Sequence, residues 1–431
     1  MTLTYASKLC FKQVPANNFK SKCLSTQLMQ ANSLIASTSK GFFAFLPLGQ
    51  RIVEKLTNVV EKELHKIGGQ KCEVPSIGHK GIWEKSGRWN EIGSEMFKLN
   101  DRLKTEYCLQ PTAEEMFTIL TQNLGTINKK MLPLMLFQTS QKFRDEMNPR
   151  FGILRSKQFL MNDLYTFDLD HQTAEITYNE IFKVYETIFE NILGFKDDIY
   201  KVQANPGAMG GNFSHEFHLP NPSAEDTLLI CKSCGNQSKK DEVKSLSNCC
   251  KCDSKDLKII ETVEVGHTFQ LGERYSKVFE ANSTNGNPYF MCCFGLGITR
   301  IIAAAIDVLS VSNKAMRLPN ILSPFKVVII LPKENSVNSV FVQSFINDIS
   351  NLPGLCNNVL IDDRIEKSIG RRINEANQLG IPNILVASSH KHVDPFEIQT
   401  IEYFKTFSKS DKLEKIGNLT HSELFVELSK I

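Results

Sequence analysis

The segment from Leu136 to Phe167, LFQTSQKFRDEMNPRFGILRSKQFLMNDLYTF, constrains the fold more than any other part of the chain. It reads as two strands joined by a short loop, Asn148-Pro149-Arg150-Phe151-Gly152, where Pro and Gly mark a tight connection. On the first strand Arg144 and Glu146 stand two residues apart and so share a face, while Phe143 and Asp145 take the other, where Phe143 can enter a core. A guanidinium and a carboxylate on one sheet face suit a nucleotide pocket. The arginine can grip a phosphate bidentately, and the glutamate can accept from an adenine amino group. The plain alternative for any isolated R-x-E is a surface ion pair of little consequence.

The surrounding residues favour the pocket. FRDE, a loop, and then R-F-G-x-x-R-S-x-x-F-L-M-x-D resembles motif 2 of the class II aminoacyl-tRNA synthetases. In detail it is similar to the bacterial-type prolyl-tRNA synthetases, mitochondrial ones included. The resemblance runs from Leu24 to the C-terminus and is carried by several separate motifs in the family's order. It implies that Arg144, Glu146, Arg155 and Gln158 hold ATP, with Arg144 on the α-phosphate and also beside proline. The chain departs from the family at Lys157 and Gln158, where Arg-Glu is usual; Gln158 can accept a hydrogen bond but brings no charge.

Several further motifs follow the same order. From Gly49 to Ile67 apolar residues recur at helical spacing (Ile52, Leu56, Val59, Val60, Leu64, Ile67), Gly68-Gly69 end the helix, and CEVPSI with Pro75 reads as a strand. Alone this is a core helix and an edge strand; the resemblance makes it motif 1, a dimer interface. Pro111-Thr112-Ala113-Glu114 follows a strand at Glu106–Leu109. A T-x-E is commonly a helix cap, but the family uses it to hold the imino nitrogen of proline, which would assign Thr112 and Glu114 to that task. Ala113 stands where the family usually has His. An amphipathic helix at Thr173–Leu193 leads to GAMGGNFSHEFHLP, which resembles the family's S-H-E-F strand. Then VEVGHTFQLG places His267 beside Gly266 next to the amino-acid pocket, and FMCCFGLGITR resembles motif 3. A G-x-G alone is weak and lacks the spacing of a dinucleotide fingerprint. As motif 3, Gly295 and Gly297 let the nucleotide lie on the backbone, and Arg300 reaches the γ-phosphate. Arg144 and Arg300 are the expected catalytic residues.

The cysteines carry a second, independent signal. Of 12 Cys, five fall between Cys231 and Cys252, a distribution that suits a metal knuckle in a reducing compartment better than a disulfide framework. Cys231-x-x-Cys234, fourteen residues, then Cys249-x-x-Cys252 gives four thiolates able to close a tetrahedral site, as in zinc ribbons. A structural Zn²⁺ is expected, with no open position for chemistry. This Cys-rich insertion, 228–258, lies where many bacterial relatives carry an inserted hydrolytic editing domain. The interval from Phe217 to Val263 holds 45 residues, too few for such a domain with its own core.

Composition bounds the rest. At 431 residues the chain can hold two or three domains, and 42% hydrophobic with 23% charged residues describes an ordinary globular protein. A net charge of +3 gives little long-range attraction, so nucleic acid must be met by local basic patches. No apolar run approaches the ~18 residues of a membrane span. The first acidic residue is Glu54, and residues 1–22 carry Lys8, Lys12, Lys20 and Lys22 among Ser, Thr and Asn, the composition of an organelle transit peptide. The absence of Arg before Arg51 and the break at Pro15 argue against it, and a bacterial N-terminus is the alternative.

After a proline-bearing linker, Met316–Pro324, strands at Lys326–Leu331, Asn358–Asp362 and Asn383–Ala387 alternate with helices at Ser339–Ser350 and Ser368–Leu379, an α/β pattern. It resembles the family's anticodon-binding domain, down to Asp362-Asp363-Arg364 and Gly380-Ile381-Pro382; Arg364, Arg371 and Arg372 are then candidates to meet unpaired bases. Without the upstream motifs they would read as a solvated basic helix.

The expectation is therefore a transit peptide at 1–23, an α+β class II catalytic domain at 24–320 with an antiparallel sheet flanked by helices, and a small α/β anticodon-binding domain at 325–431. The expected enzyme is a homodimer in the mitochondrial matrix, or in a bacterial cytoplasm. It joins proline to tRNA(Pro) with ATP and Mg²⁺ and has no membrane partner. A catalytically inactive relative kept for binding would need neither Arg144 nor Arg300, and both are present. A threonyl, seryl or glycyl specificity remains the other alternative.

Overall fold

A computed structural model of the chain describes residues 3–430 apart from 206, 212, 224–225, 244–246, 333–339 and 389–399. The chain divides into two compact units, one of residues 37–43 and 56–304, the other of 1–36, 44–55 and 305–431.

The first unit is built on a sheet of nine strands among the described residues. Its path runs Tyr200–Ala204, Phe213–Pro220, Leu257–Gly272, Phe290–Gly297, Gln158–Asp168, Leu134–Phe143 and Gln70–Lys71, antiparallel except for the parallel last pair. Strands Asp226–Cys231 and Gln237–Lys239 form a hairpin attached to the outer half of Leu257–Gly272. Side chains alternate between faces along each strand. On one face Phe217 and Phe294 pack on the helix His171–Glu186, which a capping box of Asp170 and Thr173 starts, and on its π-helical extension Thr187–Ile192. On the other face Tyr165, Phe167, Met291 and Cys293 join a core with Phe117 and Tyr275. The helix Pro47–Lys66 starts on a proline, as the first turn permits, and Ile52, Leu56, Val60 and Leu64 make one fully buried stripe along it.

The central hairpin differs from its expected form. Its strands pair from Leu134↔Phe167 to Phe143↔Gln158, so Arg144 and Glu146 lie beyond the strand end. The connection, 144–157, is far longer than a tight loop and is itself folded, with Phe151 at φ +58° and a short helical turn at Gly152–Leu154 that buries Ile153 and Leu154. Those two apolar residues stop the strands from pairing further, and periodicity alone could not reveal it. CEVPSI is likewise not a strand as a whole: the strands here are Gln70–Lys71 and Ile77–His79.

The second unit holds a six-stranded sheet in the order Thr4–Tyr5, Val359–Asp362, Val327–Ile330, Asn383–Ser388, Thr400–Thr406, Leu413–Leu419, with helices Val340–Ser350, Ile369–Gln378 and His421–Leu428. The three parallel strands and two intervening helices are those expected; Ser339, the expected first helical residue, lies outside the described residues. The antiparallel pair Thr400–Leu419 had no counterpart in the sequence reading. Nor did the role of the first residues. Thr4 and Tyr5 pair in parallel with Leu360 and Ile361, and Ser7 gives its N–H and hydroxyl to the Asp363 carboxylate at 2.9 and 2.6 Å. Farther on, Gln13 donates to the Glu375 carbonyl at 2.8 Å, and Val14 to the Ala31 carbonyl at 3.0 Å. Thr4, Tyr5 and Ser7, within the segment expected as a leader, are thus tied to this sheet.

Deleting residues 1–9 should speed amide hydrogen exchange at Leu360 and Ile361 and lower the thermal midpoint by ~2–4 °C, the shift of a ~1 kcal/mol loss in a domain of this class. Exchange and midpoint both unchanged would show that the contact contributes nothing.

Candidate active site

Strand alternation builds the floor of a cavity of about 340 Å³. Phe159, Met161, Asp163 and Tyr165 face it from one strand, Cys293, Gly295 and Gly297 from the next, and His267 and Phe269 from the third. The register ties His267, Gly295, Asp163 and Gln138 into one row across four strands. A Cβ at Gly295 would meet Met161 Sδ at 3.6 Å, an ordinary contact, so the backbone there lies open to the cavity. At Gly266 a Cβ would meet Leu296 at 2.8 Å, so that glycine is required by packing.

One side of the cavity is cationic. Arg300, near the start of helix Ile298–Leu309, is held by the carbonyls of Leu154 and Glu264, both at 3.0 Å. Arg144 lies just past the hairpin strand, its guanidinium 5.2 Å from the Phe159 ring centroid. Burial, and then the charge of Arg300, lower the pKa of Arg144. Two cations that disfavour each other become mutually favourable once an anion lies between them.

Another part of the lining carries a carboxylate held from behind. Thr112 Oγ donates to Glu114 Oε2 at 2.7 Å, and Arg88 Nη1 reaches Glu114 at 2.9 Å and Glu115 at 3.1 Å. Arg88 is 2% exposed and Glu114 1%. Burial, outweighing Arg88, raises the Glu115 carboxyl, to which Glu114 adds. Tyr165 accepts from Ala113 N–H at 3.0 Å and donates to Asp163 at 2.8 Å, and Lys142 pairs with Asp163 at 2.9 Å. Burial pushes the Tyr165 hydroxyl well up, with Asp163 adding to it, so it stays a proton donor. Glu114 lines the cavity, where its carboxyl oxygens can accept from a cationic nitrogen.

His267 completes the wall. Its ring stacks on Phe269 with centroids 3.8 Å apart; Nδ1 stands 3.4 Å from Glu264 and 3.8 Å from Glu216. Nε2 is buried with no hydrogen-bond partner among the described residues. Burial alone would raise the Glu264 carboxyl, but the His267 hydrogen bond and then the Arg300 charge hold it below the usual range.

The structure thus gathers Thr112, Glu114, Arg144, His267, Gly295, Gly297 and Arg300 around one cavity. Glu146 and Arg155 do not line it; they pair with each other at 2.7 Å. Gln158 is exposed. Arg88, Tyr165, Asp163 and Lys142 were not anticipated. For Arg88 the one sequence signal is the adjacent Glu114-Glu115 pair, which calls for a cation once both are buried.

In the other unit, Arg364 is paired with Asp362 and Glu375 at 2.5 and 2.9 Å, and Arg371 with Glu375 at 3.1 Å while staying 67% exposed. Arg372 corrects an expectation. It is fully buried and donates to the Asp362 carbonyl at 3.0 Å, because its place on helix Ile369–Gln378 turns it toward strand Val359–Asp362. It is no base reader.

The four knuckle cysteines converge. Cys231 and Cys252 Sγ are 3.5 Å apart, Cys234 and Cys249 3.7 Å, and all four lie within 4.8 Å of one another.

Residues 97–309 match the tRNA synthetase class II core domain (G, H, P, S and T). A Rattus norvegicus protein named probable mitochondrial proline–tRNA ligase is 41% identical over 388 residues, 87% of this chain and 80% of that one. Its Schizosaccharomyces pombe namesake is 36% identical, covering 85% and 86%. In fold, the chain is similar to a prolyl-tRNA synthetase from Cryptosporidium parvum solved with L-proline and AMP (TM-score 0.71, 17% identity, 94% of this chain and 74% of that one).

Replacing Arg88 with Met would leave two buried carboxylates without their cation. Unfolding in denaturant should show a loss of about 3–5 kcal/mol. A midpoint equal to that of the unaltered protein would mean the Glu114–Glu115 pair does not depend on Arg88.

Proposed function

Because the chain belongs to the class II aminoacyl-tRNA synthetases, and among them to the proline–tRNA ligases, we propose that the cavity binds ATP at its arginine side and proline at its glutamate side. The enzyme activates proline with ATP to prolyl-adenylate and transfers the prolyl group to the 3′ end of tRNA(Pro), for mitochondrial translation. The observation that carries the residue assignment is the meeting of Arg144, Arg300, Thr112 and Glu114 in one cavity.

In the first step the proline carboxylate attacks the α-phosphorus in line and pyrophosphate leaves. Little acid–base work is needed, so positioning and charge carry the step. Arg144, between the two anions, offsets their repulsion, and Arg300 draws the γ-phosphate to the far end. Glu114, oriented by Thr112 and Arg88, takes the secondary ammonium of proline. His267 Nε2 closes the same side. Gly295 and Gly297 let the nucleotide approach the backbone. In the second step a terminal ribose hydroxyl of tRNA attacks the prolyl carbonyl and AMP leaves. Glu264, a carboxylate on the cavity wall beside Arg300, is the residue that would hold Mg²⁺, which when bound neutralises phosphate charge.

The knuckle fits zinc. Four thiolates around an ion at ~2.3 Å stand ~3.8 Å apart, close to the separations found. Cys231, Cys234, Cys249 and Cys252 would close all four positions, a structural role. The knuckle hairpin also occupies the interval where relatives insert an editing domain. The likeness of Pro47–Lys66 and its sequel to motif 1 supports a homodimer, and the reaction's place in organelle translation supports the matrix. Arg371, exposed, and Arg364 are the candidates to meet the anticodon.

Proline should stimulate ATP–pyrophosphate exchange where threonine, serine and glycine do not, and Arg144→Ala should slow it at least about a hundredfold. Near-normal exchange by that variant would overturn the phosphate assignment. Protein prepared without a chelating tag should carry one zinc per chain, lost in Cys231→Ser; substoichiometric metal indifferent to that change would refute the zinc site.

A further inference from the structure

The CxxC turns and the active site are joined by the shortest hairpin in the sheet. Cys231 ends strand Asp226–Cys231, Cys234 lies in the turn, and Gln237–Lys239 returns antiparallel with Ile230 opposite Gln237 and Leu228 opposite Lys239. The sulfur cluster therefore closes the hairpin at one end. At the open end Lys239, 13% exposed, places Nζ 3.0 Å from Glu216 and 3.6 Å from Asp226. Glu216, 6% exposed, also receives His218 Nε2 at 2.7 Å, and its other oxygen stands 3.8 Å from His267 Nδ1.

We propose that Lys239 is a positioning residue for the proline side of the active site, and that the cysteine knuckle fixes its placement by closing the hairpin that carries it. The inference rests on the reading of the cavity as the ATP and proline site. The ring of His267 faces carboxylates on its Nδ1 edge and presents an unpartnered Nε2 on the other. Glu264, the nearer carboxylate at 3.4 Å, and the stack on Phe269 hold the ring, and the pull of Glu216 from 3.8 Å on the same edge competes with them. Lys239, held in fixed geometry, reaches both oxygens of Glu216, at 3.0 and 3.1 Å, among them the one that faces His267, and so limits the pull. Without that ammonium Glu216 keeps His218 on one oxygen and loses the Lys239 donor on the other, and His267, which faces that other oxygen, is the neighbour able to supply one by turning toward it. The hairpin is short: its ladder is three register pairs, flanked by Cys231 N–H on the Asn236 carbonyl at 2.8 Å and Lys240 N–H on the Thr227 carbonyl at 2.9 Å, with Lys201 N–H on the Gln237 side chain at 2.8 Å. The cross-link among Cys231, Cys234, Cys249 and Cys252 adds to these ties at the turn end. Nothing in this requires the thiols to touch substrate. Their ligation reaches the cavity through the hairpin.

The test uses full-length enzyme and four variants: Lys239→Met, Lys239→Arg, Cys252→Ser, and Lys239→Met with Cys252→Ser. Lys239→Met should raise the KM for proline about tenfold, the usual scale for loss of an outer-shell partner, with kcat for exchange and the KM for ATP changed less than twofold. Titration calorimetry of proline in the presence of a non-hydrolysable ATP analogue should show the same weakening of Kd. Lys239→Arg should restore both to within twofold. Cys252→Ser should reproduce the proline effect, and the double variant should be no worse than Lys239→Met alone, because both act through one path. Lys239→Met with normal proline KM and Kd overturns the positioning role. Additive losses in the double variant overturn the coupling to the knuckle. An unaltered enzyme that exchanges pyrophosphate without regard to proline would fail the active-site reading itself, separately from either result.

Discussion

Two glutamates side by side in the interior, facing one guanidinium, are the constraint around which the catalytic unit is arranged. Glu114 and Glu115 open the helix Glu114–Asn123, and both are almost wholly buried. Desolvating two carboxylates is costly unless each finds donors. Arg88 supplies them from a separate helical turn, packed over Trp83 and Tyr275 at 5.3 and 5.7 Å, while Ser86 donates to Glu115 at 2.8 Å and Thr112 to Glu114. That arrangement pins the segments 83–89, 111–115 and 275 together. It leaves Glu114 on the wall of the cavity, held from behind by Arg88 and Thr112.

The sheet extends this constraint across the floor. A row of Gln138, Asp163, Gly295 and His267 runs at right angles to the strands, and its members belong to four different segments of the sequence. Gln138 donates to Asp163 at 3.0 Å, and Asp163 in turn accepts from Tyr165, which orients the Thr112–Ala113 turn. A polar chain thus runs beneath the pocket from the sheet to Glu114. Such a network holds substrate groups in place before they react, the form of preorganisation that positioning catalysis depends on.

Much of this was legible in the sequence. The strand pattern predicted the paired strands of the central hairpin, helical spacing predicted Pro47–Lys66, and the glycines at 295 and 297 marked backbone that lines the cavity. What could not be read depended on pairing between distant segments. Arg88 looks like a turn residue until Glu114 and Glu115 are placed beside it. Arg372 looks like an RNA contact until strand Val359–Asp362 covers it. The first residues carry a composition that says only what they lack, acids, and nothing about the edge strand they complete. The connection at 144–157 failed for a different reason: Ile153 and Leu154 bury themselves locally, which neither a period of two nor of 3.6 describes.

Gly266 and Gly295 sit on neighbouring strands, and their surroundings sort the damage that substitution would do. At 266 any side chain strikes the wholly buried Leu296, which has to give way, so the lesion begins in packing. At 295 a methyl group finds ordinary contact distance to Met161 and enters the space above the sheet. The lesion there concerns what the cavity can hold. In a cell the two faults would have different fates. A chain altered at 266 spends more time unfolded and is exposed to chaperones and proteases, so it is lost in quantity. A chain altered at 295 would pass that inspection and accumulate, its fault confined to the cavity. An inventory of protein amount would find the first and miss the second.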